Sequence, residues 1–266
     1  MELFEILGYL GGLLIGLILG LIGGGGSILT VPVLAYLFGL TPVMATAYSL
    51  FIVGTSSLVG AIGFMKRKLV DISTAISFSI PALVAVYLTR RWIVPAIPEV
   101  IFQWDKMVLT KGSGLMLFFA GIMIMSAVSL IRHKNSEAVK PRQWNYQYFY
   151  ITLEGLVVGL VTGLVGAGGG FLIVPALVLL GGLPMKKAVA TSLLIIAIKS
   201  LVGFVGDIQN LRIDWRFLLI FTGVSMIGIL LGTWLNQFID GARLKKGFGW
   251  FVLLMGIFVL GKELFW

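Results

Sequence analysis

The chain of 266 residues contains no cysteine and a single histidine, and only 12% of its residues are charged. Without cysteine there is no disulfide, thiolate nucleophile, zinc–thiolate site or iron–sulfur cluster. His133 stands between Arg132 and Lys134 in a basic run, which leaves no Ser-His-Asp triad and no paired-histidine metal site. These absences argue against an enzyme, a bound metal and a cofactor. The shortage of charge excludes more. Soluble domains carry roughly 25% charged residues. This chain, 59% hydrophobic with a mean hydropathy of +1.05, cannot coat a water-exposed surface of its size. It reads as an integral membrane protein. No polar stretch is long enough for a separate catalytic or nucleic-acid-binding domain.

The formal net charge of +9 fits loops that face anionic lipid better than it fits a nucleic-acid partner. The N-terminus does not read as a cleavable signal peptide. Glu2 and Glu5 stand where positive charge belongs, and the apolar stretch behind them is too long.

An internal repeat organises the chain. Residues 16–63 align without a gap on 159–206, at a constant offset of 143, and half of the 48 aligned positions are identical. The matched features include Gly23, Gly25 and Gly26 with Gly166, Gly168 and Gly169, Pro32 with Pro175, and Ser49 with Ser192. The expected organisation is a first transmembrane repeat over 1–131, a polar cytoplasmic linker over 132–147, and a second repeat over 148–266.

A spanning helix needs about 20 apolar residues. Plain candidates are 43–64, 72–90, 113–131, 187–206, 215–235 and 247–264. The stretches 6–40 and 148–183 are each too long for one helix and are cut by a glycine cluster followed by a proline. Each reads as a helix of about 17 residues, a glycine turn and a shorter helix. If each broken pair returns to the side it entered from, twelve Lys and Arg fall on the cytoplasmic side and seven on the other. The positive-inside rule favours that layout. Segment 89–112, with Arg90, Arg91, Lys106, Lys111, Trp92 and Trp104, then reads as an interfacial loop on the opposite side. The expected fold is therefore all-α and polytopic. It has two inverted-topology repeats, each with about four full transmembrane helices plus a glycine-broken, re-entrant pair.

Glycine-broken helices in inverted repeats are a pattern of secondary transporters. The second arm of a broken helix starts with unpaired N–H groups at the positive end of its dipole, which favours an anion without a charged side chain. The candidate substrate-binding backbone is Gly24, Gly25, Gly26 and Ser27 in the first repeat, and Gly168, Gly169 and Gly170 in the second. Gly16, Gly20, Gly159 and Gly163 instead suit close helix packing. Ser49, Thr191 and Ser192 are candidate hydroxyl ligands. One cation lies mid-membrane: Lys199, whose partner position in the repeat is the neutral Ser56. A buried ammonium by default marks a substrate pathway. Glu154 and, after it, Asp207 are the candidate coupling carboxylates. Asp71 and Asp214 read as helix N-caps.

The two stretches GLIGGGGSILTVPVL and GLVGAGGGFLIVPAL, one at the start of each repeat, resemble the sulfite exporter TauE/SafE family of membrane permeases. The resemblance covers essentially the whole chain. It implies secondary transport, as an exporter, of sulfur-containing oxyanions such as sulfite or organosulfonates across a bacterial inner membrane. The expected partners are a small anionic substrate and membrane lipid, with no nucleic acid; a homodimer is left open. The alternative is an anion channel, or a permease for sulfate, thiosulfate or a carboxylate.

Overall fold

The computed structural model describes residues 2–265 apart from 105–106, 133–143, 166–168, 180 and 209–210. The helices run α1 (Glu2–Ile22), α2 (Gly25–Tyr36), α3 (Pro42–Lys66), α4 (Ile72–Leu88), α5 (Val94–Ala96), α6 (Lys111–Arg132), α7 (Trp144–Val165), α8 (Gly170–Leu179), α9 (Met185–Ile208), α10 (Trp215–Asn236) and α11 (Gly241–Phe265). A π-helical turn, Thr89–Ile93, joins α4 to α5.

Among the described residues six helices are long and apolar enough to cross a membrane: α3, α4 with its continuation to Ala96, α6, α9, α10 and α11. At 1.5 Å per residue, 22 to 25 residues cover the roughly 30 Å hydrocarbon core. The protein is an all-α polytopic membrane protein, with three such helices in each half. Each half thus has three such helices beside its broken pair among the described residues, rather than about four; the first arms, α1 and α7, have 21 and 22 residues and belong to the pairs. Helix α7 starts at Trp144, inside the segment read as linker; His133 and the rest of 133–143 lie outside the described residues.

The two halves pack on each other rather than side by side. Helix α1 lies along α10 as α7 lies along α4, while α3 meets α9 and α6 meets α11. The remaining pairings exchange in the same way: α3 with α10 and α9 with α4, α2 with α11 and α8 with α6. Small residues make the long contacts possible. A Cβ on Gly16 would overlap the Ser225 carbonyl of α10, and one on Gly228 would overlap the Leu13 carbonyl of α1. In the matching contact a Cβ on Gly159 would strike Ala82, and one on Gly163 would strike Thr89. These four glycines serve close helix packing, as small residues do between membrane helices.

Both expected N-caps are present. Asp71 Oδ1 accepts the Thr74 N–H at 3.0 Å, and Asp214 Oδ1 accepts the Phe217 N–H at 3.1 Å. Each cap is tied to the opposite half. The Asp71 N–H donates to Thr191 Oγ1 at 3.0 Å, and the Asp214 N–H donates to the Tyr48 hydroxyl at 2.6 Å. Tyr48 and Thr191 are themselves equivalent in the repeat. Asp71→Ala and Asp214→Ala are each expected to lower unfolding free energy by about 1 kcal/mol, the usual cost of a lost cap. Thermal unfolding of the purified variants in detergent checks this.

Segment 89–112 departs from the expected loop. It contains the π-helical turn, α5, and an antiparallel hairpin of β1 (Val100–Trp104) and β2 (Met107–Thr110). Trp92 is exposed, as an interfacial residue would be, but Arg90 is buried at 5% exposure. The π-helical turn carries one residue more per turn than an α-helix. Two residues apart on a helix, buried Arg90 and exposed Trp92 face opposite sides.

Candidate functional site

The first glycine turn follows α1, whose last turn closes with the Gly23 N–H on the Leu19 carbonyl at 2.8 Å. Gly23 then takes φ +78°, the left-handed conformation that glycine adopts without a Cβ penalty. Gly24 caps α2 with no side-chain hydrogen bond. Gly25 and Gly26 open that helix, and the Ser27 hydroxyl folds back to donate to the Gly24 carbonyl at 2.7 Å. In the second half, Gly168 lies outside the described residues. Gly169 has φ +69°, and Gly170 begins α8.

The two turns touch. A Cβ built on Gly24 would fall on the Gly170 backbone, and one on Gly170 would fall on the Gly24 backbone. Two helix starts, α2 and α8, therefore open at one place inside the bundle. The first N–H groups of each have no partner within their own helix. Gly26 sits to one side, its missing side chain making room for α1 at Ile15 and Leu19. Ser192 flanks the first turn. Its hydroxyl donates to the Val189 carbonyl at 2.8 Å and lies 3.2 Å from the Gly23 carbonyl.

Lys199 joins the second turn. It is 1% exposed, and a Cβ on Gly169 would lie 2.5 Å from its Nζ. Fourteen residues separate it from the start of α9 and nine from the end, or roughly 21 Å and 14 Å along the helix. Its ammonium donates to Thr162 Oγ1 at 2.8 Å, and that hydroxyl donates to the Gly159 carbonyl at 3.3 Å. No carboxylate among the described residues lies within ion-pair distance of it. The opposite half carries Ser56 and Leu19 at the two equivalent positions, so the ammonium and the hydroxyl that holds it are both particular to the second half. Ser56 donates to Ser225 Oγ at 3.1 Å.

Other candidates fall elsewhere. Thr191 Oγ1 is turned to the start of α4, where it accepts the Asp71 N–H, and so belongs to the frame. Ser49 is fully buried with a hydroxyl that has no partner among the described residues, as are Ser57 and Ser200, which are equivalent in the repeat. Buried hydroxyls are normally bonded, and these three line the α3 and α9 helices that carry Ser56 and Lys199. Glu154 stands half-buried on α7, with Oε2 buried and unpaired. Asp207 is not free: Arg90 Nη1 lies 3.4 Å from its Oδ2.

Two residues were not legible as functional from the sequence. Thr162 is detectable only by subtraction, as a hydroxyl where the repeat has Leu19. Arg90 carries no such signal, because an arginine ending an apolar run looks like any interfacial cation. Lys199 is therefore not the only cation inside the bundle, as charge placement along the sequence suggested.

Two broken helices meeting backbone to backbone within membrane-crossing helices, with an ammonium at the junction, are the construction of a membrane transport protein. The model of the sulfite exporter TauE/SafE family matches residues 8–259, and the chain belongs to this family of membrane transporters. It is 29% identical over 245 residues to the "Probable membrane transporter protein YunE" of Bacillus subtilis, covering 85% of this chain and 86% of that protein. A "Probable membrane transporter protein" of Xylella fastidiosa is 28% identical over 258 residues, covering 94% of this chain and 92% of its own. No solved structure matches the chain.

Proposed function

We propose that the protein is a secondary carrier, acting as an exporter, for small sulfur-containing oxyanions such as sulfite or organosulfonates. The observation that carries this reading is the contact of Gly24 with Gly170, with Lys199 Nζ beside Gly169. An oxyanion at that junction meets backbone N–H groups from two helix starts and one ammonium with no competing carboxylate. Ser192, whose hydroxyl lies against the Gly23 carbonyl, is on hand to complete its coordination. Thr191 is left out of the site on the strength of its bond to Asp71.

The exchange of helix pairings between halves is what a pseudo-twofold axis produces. With three long helices per half and each broken pair returning to the side it entered from, the crossings per half are odd, so in this reading the axis lies in the membrane plane and the halves are inverted. Alternating access then follows by rocking one half against the other about the glycine junction. In this reading the chain sits in a bacterial inner membrane, the linker faces the cytoplasm, and Glu154, unpaired, is the coupling carboxylate.

Purified protein in liposomes is expected to show saturable uptake of labelled sulfite. Unlabelled sulfite or an alkanesulfonate inside the vesicles should drive counterflow. Sulfate, thiosulfate and acetate in the same assay rank the anions. Single-channel currents without counterflow would replace the carrier with an anion channel.

A further inference from the structure

A second set of buried cations lies away from the glycine junction, at the end of the bundle that carries the β1–β2 hairpin. Arg90, from the π-helical turn, and Lys111, at the start of α6, are 5% and 7% exposed. Together with Thr46 and Leu164 they line a small pocket, about 20 Å³ of space for a water-sized group, whose other walls include Pro42, Val94 and Met116. Charge there is incompletely balanced. Arg90 uses a single nitrogen, Nη1, for both of its partners, Thr46 Oγ1 at 3.2 Å and Asp207 Oδ2 at 3.4 Å. Its Nε and Nη2 are buried with no hydrogen-bond partner among the described residues. Among the described residues Lys111 Nζ has only Glu99 as an ion-pair partner, at 4.0 Å, and that side chain is 90% exposed. A pair so open to solvent contributes little.

The unpaired nitrogens of Arg90 are the informative ones. Nε–H and the adjacent N–H of Nη2 point the same way from the planar guanidinium. They form the fork that takes two oxygens of one oxyanion. A buried, charged donor left without a partner costs the desolvation of that group. The fold holds two such donors on one edge of a residue that lines the pocket together with a second cation and a hydroxyl. The pocket also reaches Leu164, two residues before the second glycine cluster.

We infer that the Arg90–Lys111–Thr46 pocket is a separate binding site for a small oxyanion, held bidentately by the free edge of Arg90. The same chemistry suits a free anion or the phosphate of a lipid headgroup. The site stands on its own groups, and its existence does not depend on Lys199 being the transport cation.

The test is equilibrium binding of labelled sulfite to the full-length chain carrying Lys199→Met, in neutral detergent. Saturable binding is expected to remain. The pair of changes Arg90→Gln and Asp207→Asn removes both charges together while keeping amide groups in place, and should weaken that binding about tenfold or more, the effect of losing charged hydrogen bonds. Should this double variant fail to fold, Lys111→Met and Thr46→Val carry the test, since both leave the Arg90–Asp207 pair intact. Each is expected to weaken binding by about threefold or more. A short-chain phosphatidylglycerol that displaces sulfite assigns the site to a lipid headgroup, and one that does not assigns it to the free anion. Absence of sulfite binding to the Lys199→Met protein, or unchanged binding in the pocket variants, would overturn the inference. Neither result touches the central reading, which fails instead if Lys199→Met transports normally.

Discussion

Gly24→Val is expected to abolish anion transport and to destabilise the fold by about 3 kcal/mol or more, the upper range for overpacking a tight core. The reason is that nothing flexible stands in the way of the new side chain. The atoms that a Cβ on Gly24 meets are the Cα, carbonyl carbon and oxygen of Gly170, so space can come only from separating the two turns. That separation removes the junction at which α2 and α8 open together. The control is Gly121→Val on α6, where a Cβ meets nothing within 4 Å and the residue is exposed. It should keep wild-type transport and stability to within a few tenths of a kcal/mol. Thermal unfolding and liposome uptake of the two variants decide between a special junction and a general intolerance of larger residues in this glycine-rich chain. Equal behaviour of both variants would remove the junction from the account.

Lys199→Met should behave in the opposite sense, with function lost and stability kept. A buried ammonium costs several kcal/mol to desolvate. Lys199 recovers only one hydrogen bond, to Thr162 Oγ1, and has no carboxylate partner among the described residues. Removing it strands no opposite charge, and Thr162 keeps its own bond to the Gly159 carbonyl. Methionine fills a similar volume with an apolar, adaptable chain. The melting temperature is therefore expected to hold or rise. Transport should fall by about a hundredfold or more, because a charge-assisted contact in a dry site is worth about 3 kcal/mol. A lysine kept only for packing or structure would give the reverse: a lower melting temperature with transport intact.

Much of this arrangement was legible in the sequence, and the repeat made it so. Aligning the halves at one offset exposed the glycine clusters and the helix breaks. It also isolated Lys199, whose partner position holds Ser56. Depth along a helix depends on counting residues, so its buried position could be inferred without coordinates. Asp71 and Asp214 were legible for the same reason, since an N-cap acts within three residues of itself. Contacts between halves were not. Thr191 looked like a ligand because it neighbours Ser192, yet one step along a helix turns a side chain by about 100°, and its hydroxyl faces Asp71 instead. Arg90 was hidden because a cation at the end of an apolar run reads as interfacial, although it continues the buried face of Ala82, Ala85 and Val86. The meeting of Gly24 with Gly170 joins residues 146 positions apart, and no local pattern encodes that distance.

The most direct test of the central claim is sulfite counterflow by wild type and Lys199→Met, reconstituted side by side at equal amounts of folded protein. The account predicts saturable counterflow by wild type and almost none by the variant, although the variant unfolds at the same temperature or higher. Counterflow at the wild-type rate through Lys199→Met would contradict it, and the anion would then have to cross away from the glycine junction.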